Sequence, residues 1–388
     1  MRQWQIKMLL LVTGFVIALG LCELGLRCLG VEYPKFYDYD PQLGGKLRPG
    51  LKGYWLKEGG GYVSINSDGL RDREHPISHP PSTLRIAVLG DSFAEAMQVN
   101  QDEAFWAVLE RGLQGCPNLK GRKVEVINFG HSGFGTTQEL LALRHRARKY
   151  SPDVVLLAFF TGTNVANNSK ALKQKDYHPY HVYQGDELIL DDRATKEKWL
   201  AEQRNNTWWR TFYWWRLDTF RIEQVFHQCL EVAQTWWAKK KTIEGTSAPG
   251  LYDAIYREPT EAVWKEAWRV TEGVLLLLRD EVVRIGARFF VVVLTNDIQV
   301  QPNPAVRNEF ASKMGVADLF YPDRRVEDIC RRAGIPVLLL APELQEYATR
   351  HQIFLHGFKD GLGFGHWNRD GHRLAGEMLA RWLCPQID

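Results

Sequence analysis

The sequence predicts a doubly wound α/β fold, a parallel sheet covered by helices on both faces. Three observations point to it. Five short, nearly continuous apolar runs, at 84–90, 124–130, 153–160, 288–294 and 335–340, read as buried parallel strands. Stretches of helical spacing lie between them, at 103–113, 137–149, 262–285 and 323–332, and a last one at 372–383 closes the chain. Polar and glycine residues follow the runs, where such sheets place their ligands, beyond the carboxyl ends of the strands.

Taken in order, the N-terminus comes first. Met8 to Cys22 is free of charge, and continuation to Leu29 reaches the length of about 20 residues that a membrane span needs. Glu23 and Arg27 stand four apart, spaced to pair at the end of that span. Arg2 and Lys7 on the short flank predict a cytoplasmic N-terminus with the body on the other side. A cleaved signal peptide is the rival reading. No A-x-A-like site follows, and Leu21 before Cys22 fits a lipoprotein box poorly, so residues 1–30 read as an uncleaved anchor. Residues 31–83, rich in Gly, Pro, Tyr and Asp with a turn at Asn66-Ser67-Asp68-Gly69, read as an irregular, partly β segment packed on the domain at 84–388.

One interval breaks the alternation of strand and helix. Between the third and fourth runs lies an insertion, about 170–262, that holds Trp208-Trp209, Phe212-Tyr213-Trp214-Trp215, Trp236-Trp237 and Lys239-Lys240-Lys241. Three uses fit: the core of a helical subdomain, an interfacial belt at a lipid surface, or a stacking platform for sugars.

Composition narrows the partners. With 388 residues, 45% apolar and 24% charged, the chain has the make-up of an ordinary globular protein. A net charge of +3 gives no electrostatic case for nucleic acid. Of six cysteines, Cys22 and Cys28 lie in or beside the apolar segment; Cys116, Cys229, Cys330 and Cys384 have no CxxC spacing, which argues against a metal knuckle. Two disulfides or free buried thiols both fit these four, and the pairing is open.

Chemistry gathers behind the runs. Gly90-Asp91-Ser92 follows the first, Gly130-His131-Ser132-Gly133 the second, Thr161-Gly162-Thr163-Asn164 the third, and His366-Trp367-Asn368-Arg369-Asp370-Gly371-His372-Arg373 precedes the last helix. A strand running into Gly-Asp-Ser and then a helix exposes a serine hydroxyl at a tight turn. That hydroxyl is a poor nucleophile until a positioned imidazole takes its proton, and the resulting oxyanion needs preorganised donors. Each residue also has a structural reading: Ser92 as a helix N-cap, Gly133 as a turn, Asn164 as a loop brace, Asp91 as a backbone partner. His372 falls at the start of the last helix, where packing is its expected role.

In this order the blocks resemble the SGNH (GDSL-like) hydrolase superfamily, over roughly 84–384, and its membrane-anchored bacterial members through Asn66 to Arg71. The resemblance implies a three-layer, flavodoxin-like sandwich, no cofactor and no metal. It implies Ser92 as nucleophile, His366 as base, and Ser92, Gly133 and Asn164 as oxyanion donors. Two positions depart from it. The third block lacks the usual Asn-Asp, and in another register Thr163 takes the place of the Asn; Asn164 is preferred because an amide reaches farther. The orienting acid usually stands three residues before the histidine, where this chain has Gly363; Asp360, the nearest carboxylate before His366, is the candidate substitute, with a backbone carbonyl, a carboxylate of the insertion or a bare Ser–His dyad as the alternatives. The function expected is hydrolysis or transfer of an acyl ester on an envelope polysaccharide or lipid by a single-pass, extracytoplasmic (periplasmic) domain. A non-catalytic, carbohydrate-binding or scaffold relative that keeps the fold is the alternative, favoured by the missing acid.

Overall fold

The computed structural model describes residues 3–175, 177–204, 208–243 and 253–387, with the side chains of all these except 235–243 and 360. Helix α1, Gln3–Cys28, buries none of its residues, and it is long and apolar enough to cross a membrane. Two small antiparallel pairs follow, β1 (Tyr37–Asp38) with β2 (Lys46–Leu47) and β3 (Lys52–Tyr54) with β4 (Tyr62–Ser64). They share a core of Phe36, Leu47, Val63 and Ile65 that closes on Met97 of the main body. The turn at 66–69 is tied by its own asparagine: the Asn66 carboxamide oxygen accepts from the N–H groups of Asp68 and Leu70 at 3.0 and 2.8 Å.

The main body is built on β5 (Thr83–Gly90), β6 (Lys123–Asn128), β7 (Val154–Phe160), β10 (Arg288–Leu294) and β11 (Val337–Leu339), which pair in parallel in the order β6-β5-β7-β10-β11. In order of sequence that is 2-1-3-4-5, the flavodoxin-like arrangement. Alternation along the strands makes two apolar faces. Ile86, Val88, Val126, Leu156, Phe290 and Val292 meet α3 (Phe105–Gln114), α13 (Ala341–His351) and α14 (Arg369–Leu383). Ala87, Leu89, Ile127, Val155, Leu157 and Val291 meet α4 (Thr136–His145), α10 (Ala262–Arg284) and α12 (Tyr321–Arg332). Strand order reverses beside β5, between β6 and β7. Two short helices start there, α2 (Ser92–Glu95) after β5 and α5 (Thr161–Asn167) after β7. The crevice of the fold therefore opens at Ser92.

The long interval between β7 and β10 holds α6 (Lys170–Lys173), an antiparallel pair of β8 (Tyr180–Gln184) and β9 (Glu187–Asp191), then α7 (Arg193–Arg204), α8 (Trp208–Thr219) and α9 (Arg221–Ile243). The side chains of Trp236, Trp237 and Lys239–Lys241 lie outside the described residues. Helix α11 (Pro304–Met314) lies between β10 and α12.

Of the four cysteines of the body, Cys116 and Cys384 form a disulfide, while Cys330 is buried and free and Cys229 exposed and free. The bridge joins the chain just past α3 to the chain just past α14, closing a separation of 268 residues. Crosslinking a loop of that length restricts the unfolded chain. Cys384→Ser should therefore lower the thermal midpoint, by the equivalent of about 2–4 kcal/mol. An unchanged midpoint in calorimetry would show that the bridge contributes nothing.

Candidate active site

Ser92 is the first residue of α2, two residues beyond the end of β5. Asp91 is the N-cap, and its Oδ1 accepts from the Phe93 N–H at 3.0 Å, which holds the turn that presents the serine. As the first residue of a helix, Ser92 has an N–H with no intrahelical partner. Its hydroxyl lies 2.8 Å from His366 Nε2.

The other side of His366 is occupied by a residue that the sequence reading missed. His366 Nδ1 is 2.5 Å from Glu58 Oε2, and the His366 backbone N–H donates to Glu58 Oε1 at 2.9 Å. One carboxylate thus grips both the ring and the backbone of the base, fixing the tautomer whose free nitrogen faces serine. Glu58 sits at the tip of the turn between β3 and β4, in the segment ahead of the α/β body. This corrects the expectation of Asp360, whose side chain lies outside the described residues; the place of the orienting acid is filled by Glu58. Gly363 is a poor place for the usual acid: its φ is +87°, and a Cβ there would lie 2.9 Å from the end of the Gln301 side chain and 3.0 Å from the Phe354 ring.

Two glycine positions make the approach of Glu58 possible. A Cβ on Gly365 would stand 2.4 Å from Glu58 Oε1, and one on Gly59 2.1 Å from the Gln98 carbonyl oxygen. Both have positive φ, +89° and +78°, which glycine adopts without strain. The run Gly59-Gly60-Gly61 directly after Glu58 was the available signal in the sequence. The loop bearing His366 is fixed from behind: Gly365 N–H donates to Asp297 Oδ2 at 3.0 Å, and its carbonyl lies 2.6 Å from His356 Nδ1. Phe93 packs beneath the imidazole, ring centres 4.9 Å apart.

Burial by itself would depress the basicity of His366. The hydrogen bond and charge of Glu58, with Asp91 and Glu95 beyond, outweigh it, so its pKa lies above the ordinary histidine value. For Glu58, burial is likewise the largest influence and is overcome by the imidazole, which leaves the carboxyl below its usual range. Asp91 is pushed up to about 6 by burial, against the pull of the Phe93 N–H and of His366.

The remaining expected residues divide. Gly133 lies in the turn after β6 with φ +81°, and the space that a side chain would fill there is open to Lys175 Nζ at 3.9 Å. That turn is pinned by Ser132, whose hydroxyl donates to Glu95, itself held by the Tyr37 hydroxyl at 2.7 Å. Asn164 is wholly buried in α5, and its amide nitrogen donates to Glu139 Oε1 at 3.1 Å. Thr163 beside it is partly exposed, and its hydroxyl donates to Asp91 Oδ2 at 3.1 Å. His372 is fully buried, and its Nδ1 accepts from the Phe105 N–H at 3.3 Å, a packing role. A groove of about 470 Å³ opens beside the triad, between Leu56–Gly60 and the loop at Phe358–Phe364.

No family model matches the chain, and no curated protein does. Solved structures similar to it include an acetyl xylan esterase, 10% identical over 77% of this chain and 98% of that one with a TM-score of 0.38. A lipase/acylhydrolase from Enterococcus faecalis is 15% identical over 78% and 97%, with a TM-score of 0.37. An acetylxylan esterase from Geobacillus stearothermophilus is 12% identical over 77% and 92%, again at 0.37. Sheet order and triad geometry, rather than these distant likenesses, support the functional reading below.

Glu58→Gln should lower kcat by about 10²-fold or more at unchanged KM, and Asp360→Asn should behave as wild type. Because the base must be neutral, activity falls as pH drops through the raised pKa of His366. Loss of the Glu58 charge lowers that pKa, so the acid limb of kcat/KM should move to lower pH. A limb that stays in place would remove Glu58 from the triad.

Proposed function

We propose that the protein is a serine-dependent acyl-ester hydrolase, held at a membrane by α1 with its catalytic body on the extracytoplasmic side. The contact chain Ser92–His366–Glu58 is the observation that supports it, with separations of 2.8 and 2.5 Å. Ser92 Oγ attacks the acyl carbon while His366 Nε2 takes its proton, and Glu58 stabilises the imidazolium. The backbone N–H groups of Ser92 and Gly133, with the Asn164 amide, receive the oxyanion. His366 then protonates the departing alcohol, leaving an acyl-Ser92 ester. A water, or a sugar hydroxyl in a transfer reaction, attacks that ester as His366 removes its proton and returns it to Ser92.

The apolar α1 with cations on its short flank, and the disulfide in the body, both fit an oxidising compartment outside the cytoplasm. An O-acyl group on an envelope polysaccharide or lipid is the substrate class that suits that location. A non-catalytic role drew its support from the missing acid, and Glu58 takes that support away.

In detergent, the full chain should release 4-nitrophenol from 4-nitrophenyl acetate and be labelled by a fluorophosphonate. Ser92→Ala should abolish both, and turnover that survives in this variant would end the proposal. The oxyanion assignment has a separate check. Asn164→Ala should lower kcat by about 10²-fold, and Thr163→Val, whose hydroxyl is engaged by Asp91, should do much less. The reverse ranking would make Thr163 the donor.

A further inference from the structure

Helix α8 has two faces of opposite character. Its inner face is bound to the segment that follows α1. Leu217 is buried, Arg48 pairs with Asp218 at 2.9 Å and stacks on Trp214 at 4.1 Å, and Lys35 donates to the Tyr213 hydroxyl at 3.0 Å. Its outer face is aromatic and uncovered. Trp208, Trp209, Phe212 and Trp215 are 64, 59, 39 and 51% exposed. Trp208, Phe212 and Trp215 follow the i, i+4, i+7 spacing of a single stripe. The Trp208 and Trp209 rings stack at 3.6 Å, and Phe212 and Trp215 at 5.6 Å, so the surface is continuous. A water-facing helix rarely carries such a patch; patches of this kind mark contact surfaces.

What covers it is indicated by its neighbour. The connection from α8 to α9 is locked onto the last turn of α1. The Arg27 guanidinium donates to the Thr219 carbonyl at the end of α8, and the Glu23 carboxylate accepts from the N–H groups of Arg221 and Ile222 at 3.0 and 3.1 Å, capping α9. The aromatic helix therefore ends where the apolar helix does. On α9, Phe226 and Leu230, four apart, are exposed as well. Indole rings, apolar with one polar N–H, collect at the headgroup level of a bilayer, and helices with one aromatic face lie in that plane.

We propose that the outer face of α8 lies in the boundary between lipid headgroups and acyl chains, as a second, in-plane membrane contact that seats the catalytic body against the bilayer. This rests on the reading of α1 as a membrane span, and the two are separable by experiment. The full chain is reconstituted in vesicles of phosphatidylcholine and phosphatidylglycerol containing a phosphatidylcholine with a photoactivatable diazirine on its acyl chain, and adducts are mapped by mass spectrometry. Lipid adducts are expected on α1 and on residues 208–215, and not at Val283 or Val306, which are exposed on the body. Trp208→Asp, Phe212→Asp and Trp215→Asp together should cut adducts at 208–215 about tenfold without changing those on α1.

Labelled α1 with unlabelled α8 overturns the in-plane contact and leaves the span. Labelled α8 with unlabelled α1 overturns the span and keeps the contact. Crosslinks from 208–215 to a second copy of the chain, in place of lipid, or labelling that the triple variant leaves unchanged, would also overturn the proposal.

Discussion

The grip of Glu58 on His366 is the constraint around which the site is organised. A catalytic imidazole needs both its tautomer and its direction fixed, and here one carboxylate does both by reaching a ring nitrogen and the backbone N–H of the same residue. That demand dictates local sequence on each side. Gly365 must lack a side chain where the carboxylate lies, and Gly59 must turn where the hairpin meets the Gln98 carbonyl. In the proposed enzyme the small β segment is thus a working part of the site, and its core of Phe36, Leu47, Val63 and Ile65 closes on Met97 beneath the hairpin that carries Glu58.

Around this contact, carboxyl groups are kept in different states by their surroundings. Glu58 remains ionised because His366 compensates its burial. Asp91, deeper and facing backbone N–H and the Thr163 hydroxyl, is raised to about 6 by burial. Glu139, fully enclosed and next to Asp91, is pushed far above the carboxylate range by burial first and by that neighbour second. Burial and Asp91 thus favour the uncharged form of Glu139, while the surroundings of His366 favour its imidazolium form.

Much of this was legible in the sequence, for local reasons. Buried parallel strands announce themselves as apolar runs, and the runs at 84–90 and 288–294 became β5 and β10 with little change. The strand–turn–helix at Ser92 and the histidine before the last helix are likewise local signals, and the structure brings those two side chains together. Glu58 was not legible, because nothing near it in sequence resembles a catalytic block and its partner is 308 residues away. Asn164 is a subtler case: its place in the third block was legible, but that its amide meets Glu139 on α4 depends on how the helices pack. The pairing of Cys116 with Cys384 depends on the packing of α3 against α14, which spacing cannot reveal.

The separation of these three side chains along the sequence also bears on when their contact can form. Ser92 and His366 are 274 residues apart, and Glu58 and His366 are 308. A chain that grows from its N-terminus emerges with its nucleophile and acid long before its base. Contacts this distant form late, after the closure entropy of the intervening chain has been overcome. A product that stops short of His366 lacks the centre of this contact, so the three side chains can meet only once that late segment has emerged and packed onto the hairpin and the turn made long before it.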